Sequence, residues 1–178
     1  MYRKNIKLNY KKGILFWITG LSGSGKTSIS KKIFPMIYKK FGPTILLSGD
    51  ELRNIFNLKK YDAKSRLSYG ISFSKFAKHI TDQKINLIIN VIGMFDEVRK
   101  NNKNNIENYI EVFIEADLKK ILKKGKKKIY KTNKINIVGR GIKPQFPKKP
   151  NIKIKNDFKK NINELAFELF NKISKIIL

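Results

Sequence analysis

Residues 20–27 read Gly20-Leu21-Ser22-Gly23-Ser24-Gly25-Lys26-Thr27, the spacing G-x-x-x-x-G-K-[ST] without a mismatch. Glycines at 20, 23 and 25 let backbone N–H groups turn inward around phosphate oxygens. A helix starting at the end of such a loop adds the positive potential of its N-terminus. The ammonium of Lys26 would reach the β and γ phosphates, and the Thr27 hydroxyl would ligate Mg²⁺. The ATP-binding residues predicted here are Gly20, Leu21, Ser22, Gly23, Ser24, Gly25, Lys26, Thr27 and Ser28, with Lys26 also catalytic. The bland alternative is a glycine turn that binds nothing. Asp50 ends the run Thr44-Ile45-Leu46-Leu47-Ser48-Gly49-Asp50. Ligands of open α/β sheets lie beyond the carboxyl ends of strands, so Asp50 is expected beside the phosphates. There it would orient Mg²⁺ or accept a proton from an attacking hydroxyl, making Thr27 and Asp50 the metal residues and Asp50 the second catalytic one. Its other reading is the cap of a helix starting at Glu51.

The elements that must position these residues alternate along the chain. Ile14–Thr19 is an apolar run, as in a strand buried on both faces, and a helical pattern follows to about Lys40. Pro35 conflicts with that helix, which must kink or end early. Strands are expected at Thr44–Leu47, Ile85–Ile92, Tyr109–Ala116 and Asn151–Ile154. Helical patterns cover Lys64–Gln83 and a polar stretch to about Asn105, where Asn101–Asn105 reads as a turn or frayed end. Asp157 is positioned to cap a final helix with Phe158, Ile162, Leu165, Leu169, Ile173 and Ile177 at three- and four-residue spacing. The fold class predicted is α/β, a parallel sheet of about five strands with helices on both faces, in one domain spanning 1–178.

Composition excludes several classes. There is no Cys and one histidine, His79, so disulfides, thiol nucleophiles and multi-histidine metal centres are ruled out. His79 reads as a surface residue. The longest apolar run is Ile14–Ile18, too short for a membrane span, and no signal peptide is read; a cytoplasmic protein is expected. The formal net charge is +27, but 35 of the 40 basic residues are Lys, whereas base and phosphate recognition favours Arg. Lys, Ile and Asn make up 81 of the 178 residues, the imprint of A/T-rich codons. Most of the charge therefore reads as solvated surface. Nucleic acid is not the expected partner; small-molecule nucleotides are.

FWITGLSGSGKTSIS, SGDELRNIFN, NYIEVFIEADL, KKIY, VGRGI and FPKKPNIKIKND, in this order across about residues 12–157, resemble the adenylylsulfate (APS) kinase family. The resemblance implies the three-layer P-loop NTPase fold. It implies transfer of the ATP γ-phosphate to the 3′-hydroxyl of adenylylsulfate, with Mg²⁺, in sulfate activation, and a possible homodimer. Carried over by position, Arg53, Asn57, Arg66, Ile92 and Lys127 would bind the acceptor, Lys127 from a lysine-rich lid at about 119–141. Phe73 and Phe76 would offer base-stacking surface, with core packing as the alternative.

Departures from the family pattern gather on the acceptor side. Its Asp-Gly-Asp is Ser48-Gly49-Asp50, its Ile-Ser-Pro serine falls at Gly93, and the arginine-rich stretch that follows is reduced to Asp96-Glu97-Val98-Arg99. The Arg-Asp pair before the lid is Lys124-Gly125, Gly-Ile-Asp is Gly139-Arg140-Gly141, and an arginine expected near Ile71–Ser72 is absent. Three readings follow. The leading one is an APS kinase; the alternatives are a kinase of another nucleotide conjugate such as cytidine diphosphoramidate in surface-polysaccharide synthesis and a non-catalytic nucleotide- or RNA-binding copy. The Gly93-Met94-Phe95 turn looks closer to the second branch.

Overall fold

The computed structural model describes residues 6–93, 95–124, 138–139 and 141–177. In chain order the elements are β1 (Leu15–Thr19), α1 (Lys26–Phe41), β2 (Thr44–Ser48), α2 (Gly49–Ile55), α3 (Ala63–Asp82), β3 (Asn86–Val91), α4 (Asp96–Asn105), β4 (Tyr109–Glu115), α5 (Leu118–Lys123), β5 (Ile152–Lys155) and α6 (Ile162–Ile176). The five strands form one parallel sheet in the order β2-β3-β1-β4-β5. β1 is central and wholly buried, which is why its sequence is an unbroken apolar run. Phe16 and Ile18 face one core with Ile29, Ile33 and Ile37 of α1 and Leu165, Leu169 and Ile173 of α6. Leu15 and Trp17 face the other, with Leu52 of α2, Phe73 and Ala77 of α3 and Val98 of α4. The result is the three-layer α/β arrangement of P-loop proteins, and the order reversal beside β1 places a crevice at the strands' carboxyl ends.

Three local expectations are corrected. α1 neither stops nor breaks at Pro35; it runs through to Phe41, because Ile29, Ile33 and Ile37 are fully buried and their packing outweighs one lost backbone bond. Asp157 does not cap the last helix. Asn161 does, accepting from the Glu164 N–H while the Glu164 carboxylate accepts from the Asn161 N–H. The Asp157 carboxylate instead accepts from the Lys159 N–H, and Phe158 sits in a left-handed turn at φ 67°. Asp50 is not a cap either: Ser48 and Glu51 form the capping box, leaving Asp50 exposed in the first turn of α2. His79 is exposed on α3, and Asn101–Asn105 is helical to its end with Asn102 buried.

Candidate functional site

The loop between β1 and α1 folds around its own lysine. Gly25 precedes α1 at φ 96°, a left-handed conformation that only glycine adopts without strain, and no side chain caps the helix. The first-turn N–H groups of α1 therefore remain directed at the crevice. Lys26 is buried, the only buried lysine among the described residues, and its Nζ donates to the carbonyls of Gly20 (2.9 Å) and Leu21 (2.7 Å). A cation set against the loop's carbonyls is drawn toward any phosphate entering the loop. Ser24 is buried at the back of the loop, and its carbonyl accepts from Asn156 Nδ2 at 2.9 Å. Asn156 follows β5, 132 residues away in sequence, and it clamps the loop to the far side of the sheet.

These residues border a cavity of about 690 Å³ that reaches from the phosphate loop to α3. Ser22, Gly23, Gly25, Lys26, Thr27 and Ser28 line one end, and Asp50, Arg53, Arg66 and Ile92 line the other side. Asn57 is not brought to it; it turns away at φ 50° and borders an adjoining open recess with Asp50, Arg53 and Tyr61. Lys127 lies outside the described residues, as does most of the lysine-rich stretch expected as a lid.

Arg53 and Arg66 both stack on the Tyr61 ring. The Arg53 guanidinium lies 4.3 Å from the Tyr61 ring and 5.2 Å from that of Tyr69, and the Arg66 guanidinium lies 5.3 Å from Tyr61. Nη1 of Arg53 donates to the Lys60 carbonyl at 2.9 Å, and Nε of Arg66 to that of Tyr61 at 2.7 Å. Burial, and then repulsion by Arg53, holds the Arg66 guanidinium below its ordinary pKa. Two like charges fixed on one cavity wall are a receptor for an anion, which relieves the repulsion. Phe73 is nearly buried but reaches the cavity, stacked at 6.4 Å on Phe56. Phe76 packs edge-on behind Phe56 at 5.9 Å. At the opposite end Phe158 carries Lys124 over its ring, 5.3 Å from the centroid.

The wall between the two ends is the turn after β3. Gly93 adopts φ 43°, and a Cβ there would sit 2.8 Å from Val91 Cγ2 and 3.1 Å from Thr19 Cγ2. The family's serine does not fit that turn without displacing both. Arg99, buried on α4, ties the turn down: Nη1 donates to the Gly93 carbonyl and Nη2 to that of Gln145. Arg99 pairs with Asp96 and with Glu111 of β4. Burial pushes the Glu111 carboxyl up, and Arg99 opposes this.

Sequence reasoning missed Asn90, Asn156 and the Arg99 tie. Asn90 is buried at the end of β3, where its Oδ1 accepts from the Thr27 hydroxyl at 3.0 Å. The hydroxyl of Thr27 and the carboxylate of Asp50 are hard oxygen donors on the same cavity, a set that suits Mg²⁺ shared with phosphate and water. Among the described residues, no three acidic, histidine or cysteine side chains gather into a site that would hold a cation by themselves.

Proteins similar to this chain include kinases of adenylyl-sulfate and of cytidine diphosphoramidate. The family model for adenylylsulphate kinase matches residues 12–155. The cytidine diphosphoramidate kinase of Campylobacter jejuni is 38% identical over 89 residues, 50% of this chain and 52% of that protein. The adenylyl-sulfate kinase of Clostridium acetobutylicum is 34% identical over 96 residues, 53% of this chain and 48% of that one. The chain thus matches about half the length of these curated relatives. The structure of the Mycobacterium tuberculosis APS kinase in complex with AMPPNP and APS superposes with a TM-score of 0.81 at 25% identity, covering 92% of this chain and 98% of that one. With the matched span running from before β1 to the end of β5, the chain belongs to the adenylylsulphate kinase family.

Proposed function

We propose that this protein is a kinase that transfers the γ-phosphoryl group of ATP to a ribose hydroxyl of a nucleoside 5′-conjugate. The carrying observation is that one cavity joins a phosphate loop with a buried lysine to two arginines, Arg53 and Arg66, both set against the Tyr61 ring. The loop amides and Lys26 take the donor phosphates. Arg53 and Arg66 take the anionic bridge of the acceptor, and Phe73 with Tyr69 borders its base. The acceptor oxygen attacks the γ-phosphorus as the bond to the β-bridging oxygen breaks. ADP leaves, and the hydroxyl proton passes to the carboxylate of Asp50, which is exposed on the same cavity. Bound Mg²⁺, held by Thr27 and Asp50, would neutralise charge on the β and γ phosphates. Everything else is positioning, which suits a transfer in which the protein forms no covalent bond.

Cytidine diphosphoramidate is the favoured acceptor. The Campylobacter enzyme named for it is 38% identical over 89 residues, against 34% over 96 for the Clostridium acetobutylicum adenylyl-sulfate kinase, and the Gly93 turn has no room for the serine of the family pattern. Adenylylsulfate is the second reading, supported by the family model and by the superposition on an APS complex. Incubating the protein with Mg·ATP and each conjugate, and resolving products by anion-exchange chromatography, decides the matter. A 3′-phosphorylated cytidine conjugate is expected. Transfer only to adenylylsulfate selects the second reading, and no transfer to any conjugate overturns the enzymatic one.

A further inference from the structure

Asn90 stands where the phosphate loop, β2 and β3 meet, and no motif contains it. Its side chain is nine-tenths buried and its amide is fixed at both ends. Nδ2 donates to the Leu47 carbonyl of β2 at 3.4 Å. A backbone carbonyl can only accept, so the amide nitrogen must face β2 and the oxygen must face α1. Oδ1 then accepts from Thr27 Oγ1 at 3.0 Å, across 63 residues of sequence. A hydroxyl has one proton and two lone pairs. With the proton committed to Asn90, both lone pairs of Thr27 are turned away from it, toward the cavity that Thr27 lines. Among the described residues no cluster of carboxylates replaces this hydroxyl as a cation anchor.

We propose that Asn90 is a positioning residue for the metal: it orients the Thr27 hydroxyl so that the oxygen meets Mg²⁺ with its lone pairs, and, being neutral, it leaves cation capture dependent on the nucleotide's own phosphates. The inference rests on the nucleotide-binding reading given above. It predicts little Mg²⁺ affinity in the protein alone and a metal-dependent increment in nucleotide affinity that runs through the Thr27–Asn90 bond.

The test is calorimetric titration of the full chain with AMPPNP, in Mg²⁺ and in EDTA, and with Mg²⁺ alone. Wild type is expected to bind AMPPNP at least tenfold tighter with Mg²⁺, and Mg²⁺ alone only weakly. Asn90→Ala is expected to lose most of the Mg²⁺ increment while its affinity in EDTA stays within about threefold. Asn90→Asp keeps the acceptor oxygen and adds a charge, so it should retain the increment and bind Mg²⁺ alone more tightly. Thr27→Ala and the double variant Thr27→Ala/Asn90→Ala should lose the same increment, since both break one bond. A full increment in folded Asn90→Ala, or separate additive losses in the double variant, would overturn the proposal while leaving the kinase reading intact. Should Asn90→Ala fail to fold, Asn90→Asp decides: loss of the increment there counts against it. Absence of AMPPNP binding by wild type in either condition would instead remove the nucleotide reading itself, and this inference with it.

Discussion

Lys26 is where the chemistry of single residues is most exposed to test. Its ammonium donates to two carbonyls of the loop it would serve, so the loop is shaped around a positive charge. Replacing it with Ala leaves β1 and α1 packed as before, because the buried face of α1 is carried by Ile29, Ile33 and Ile37. Lys26→Ala should therefore keep its melting temperature within a few degrees. It should lower phosphoryl transfer by on the order of 10²–10³, the usual cost of losing one preorganised donor at a charge-developing site. A coupled ADP-release assay reads the second effect and a thermal melt the first. Gly93 yields the opposite pattern. Installing the serine of the wider family, Gly93→Ser, forces a Cβ to within 2.8 Å of Val91 and should destabilise the fold by about 1–3 kcal/mol, as overpacking does. Activity toward adenylylsulfate should not rise with it. The contrast marks what the sequence could and could not reveal at this scale. The phosphate loop is legible because its eight residues are contiguous and their spacing is the chemistry. Asn90 and Asn156 touch the same loop from 63 and 132 residues away, and in a chain with 18 asparagines neither stands out.

Elements were legible where burial is strong enough to write a continuous pattern. The inner strands β1 and β3 show as apolar runs because a parallel sheet covered on both faces leaves them no polar side, whereas β5, at the sheet's edge, alternates buried Ile with exposed Lys. Helix ends were less so, since capping depends on one side chain meeting one N–H, and Asp157 and Asn161 are equally good cap residues by type. Pro35 is the clearest case of packing overriding local preference, and it can be measured. It is exposed on α1, so Pro35→Ala restores a backbone donor without disturbing the core, and it should raise stability by about 1–3 kcal/mol in chemical denaturation. The Arg99 tie joins α4, β4, the Gly93 turn and the segment at Gln145, four pieces that no sequence window holds together. Arg99→Met should cost about 3–5 kcal/mol, because it strands the Glu111 carboxyl in a buried site. The pH dependence of that loss has a definite sign. Burial raises the folded-state pKa of Glu111, so the folded protein favours the protonated form, and this contribution is full below the unfolded value and fades as pH rises. Removing Arg99 takes away the group that opposes the rise. The deficit of Arg99→Met against wild type should therefore be smaller at pH 4.5 than at pH 7.5, and a deficit independent of pH would argue that Glu111 is not the stranded group.

Across the whole molecule the dominant fact is 40 cationic side chains against 13 anionic ones. Among the described residues Lys26 and Arg99 are the only buried cationic side chains, so the other described ones stand at least partly in solvent, where they repel one another. The few carboxylates are consequently anchored among lysines. Asp82, at the end of α3, accepts from Lys78 on its own helix and from Lys12 just before β1, and these two bonds hold its carboxyl down to about 2. Lys160 and Lys172 lower Glu168 of α6 in the same way. A depressed carboxyl contributes stability that is complete above its unfolded value and is lost as pH falls through the folded one. For Asp82 that window runs from roughly pH 4 down to about 2. Each proton taken up there removes a negative charge from a molecule already at +27, so the lost ion pairs and the growing repulsion act in the same direction. The melting temperature should fall steeply between pH 4 and pH 2. Added salt should recover more of it at pH 3 than at pH 7, since screening weakens repulsion between exposed charges. Asp82→Asn separates the two contributions: it lacks the titrating carboxyl but keeps the surrounding lysines. Its melting temperature should be lower than wild type at pH 7 and should decline less between pH 4 and pH 2. Parallel curves for the two proteins over that interval would show that Asp82 takes no part in the acid response, leaving general charge repulsion as its source.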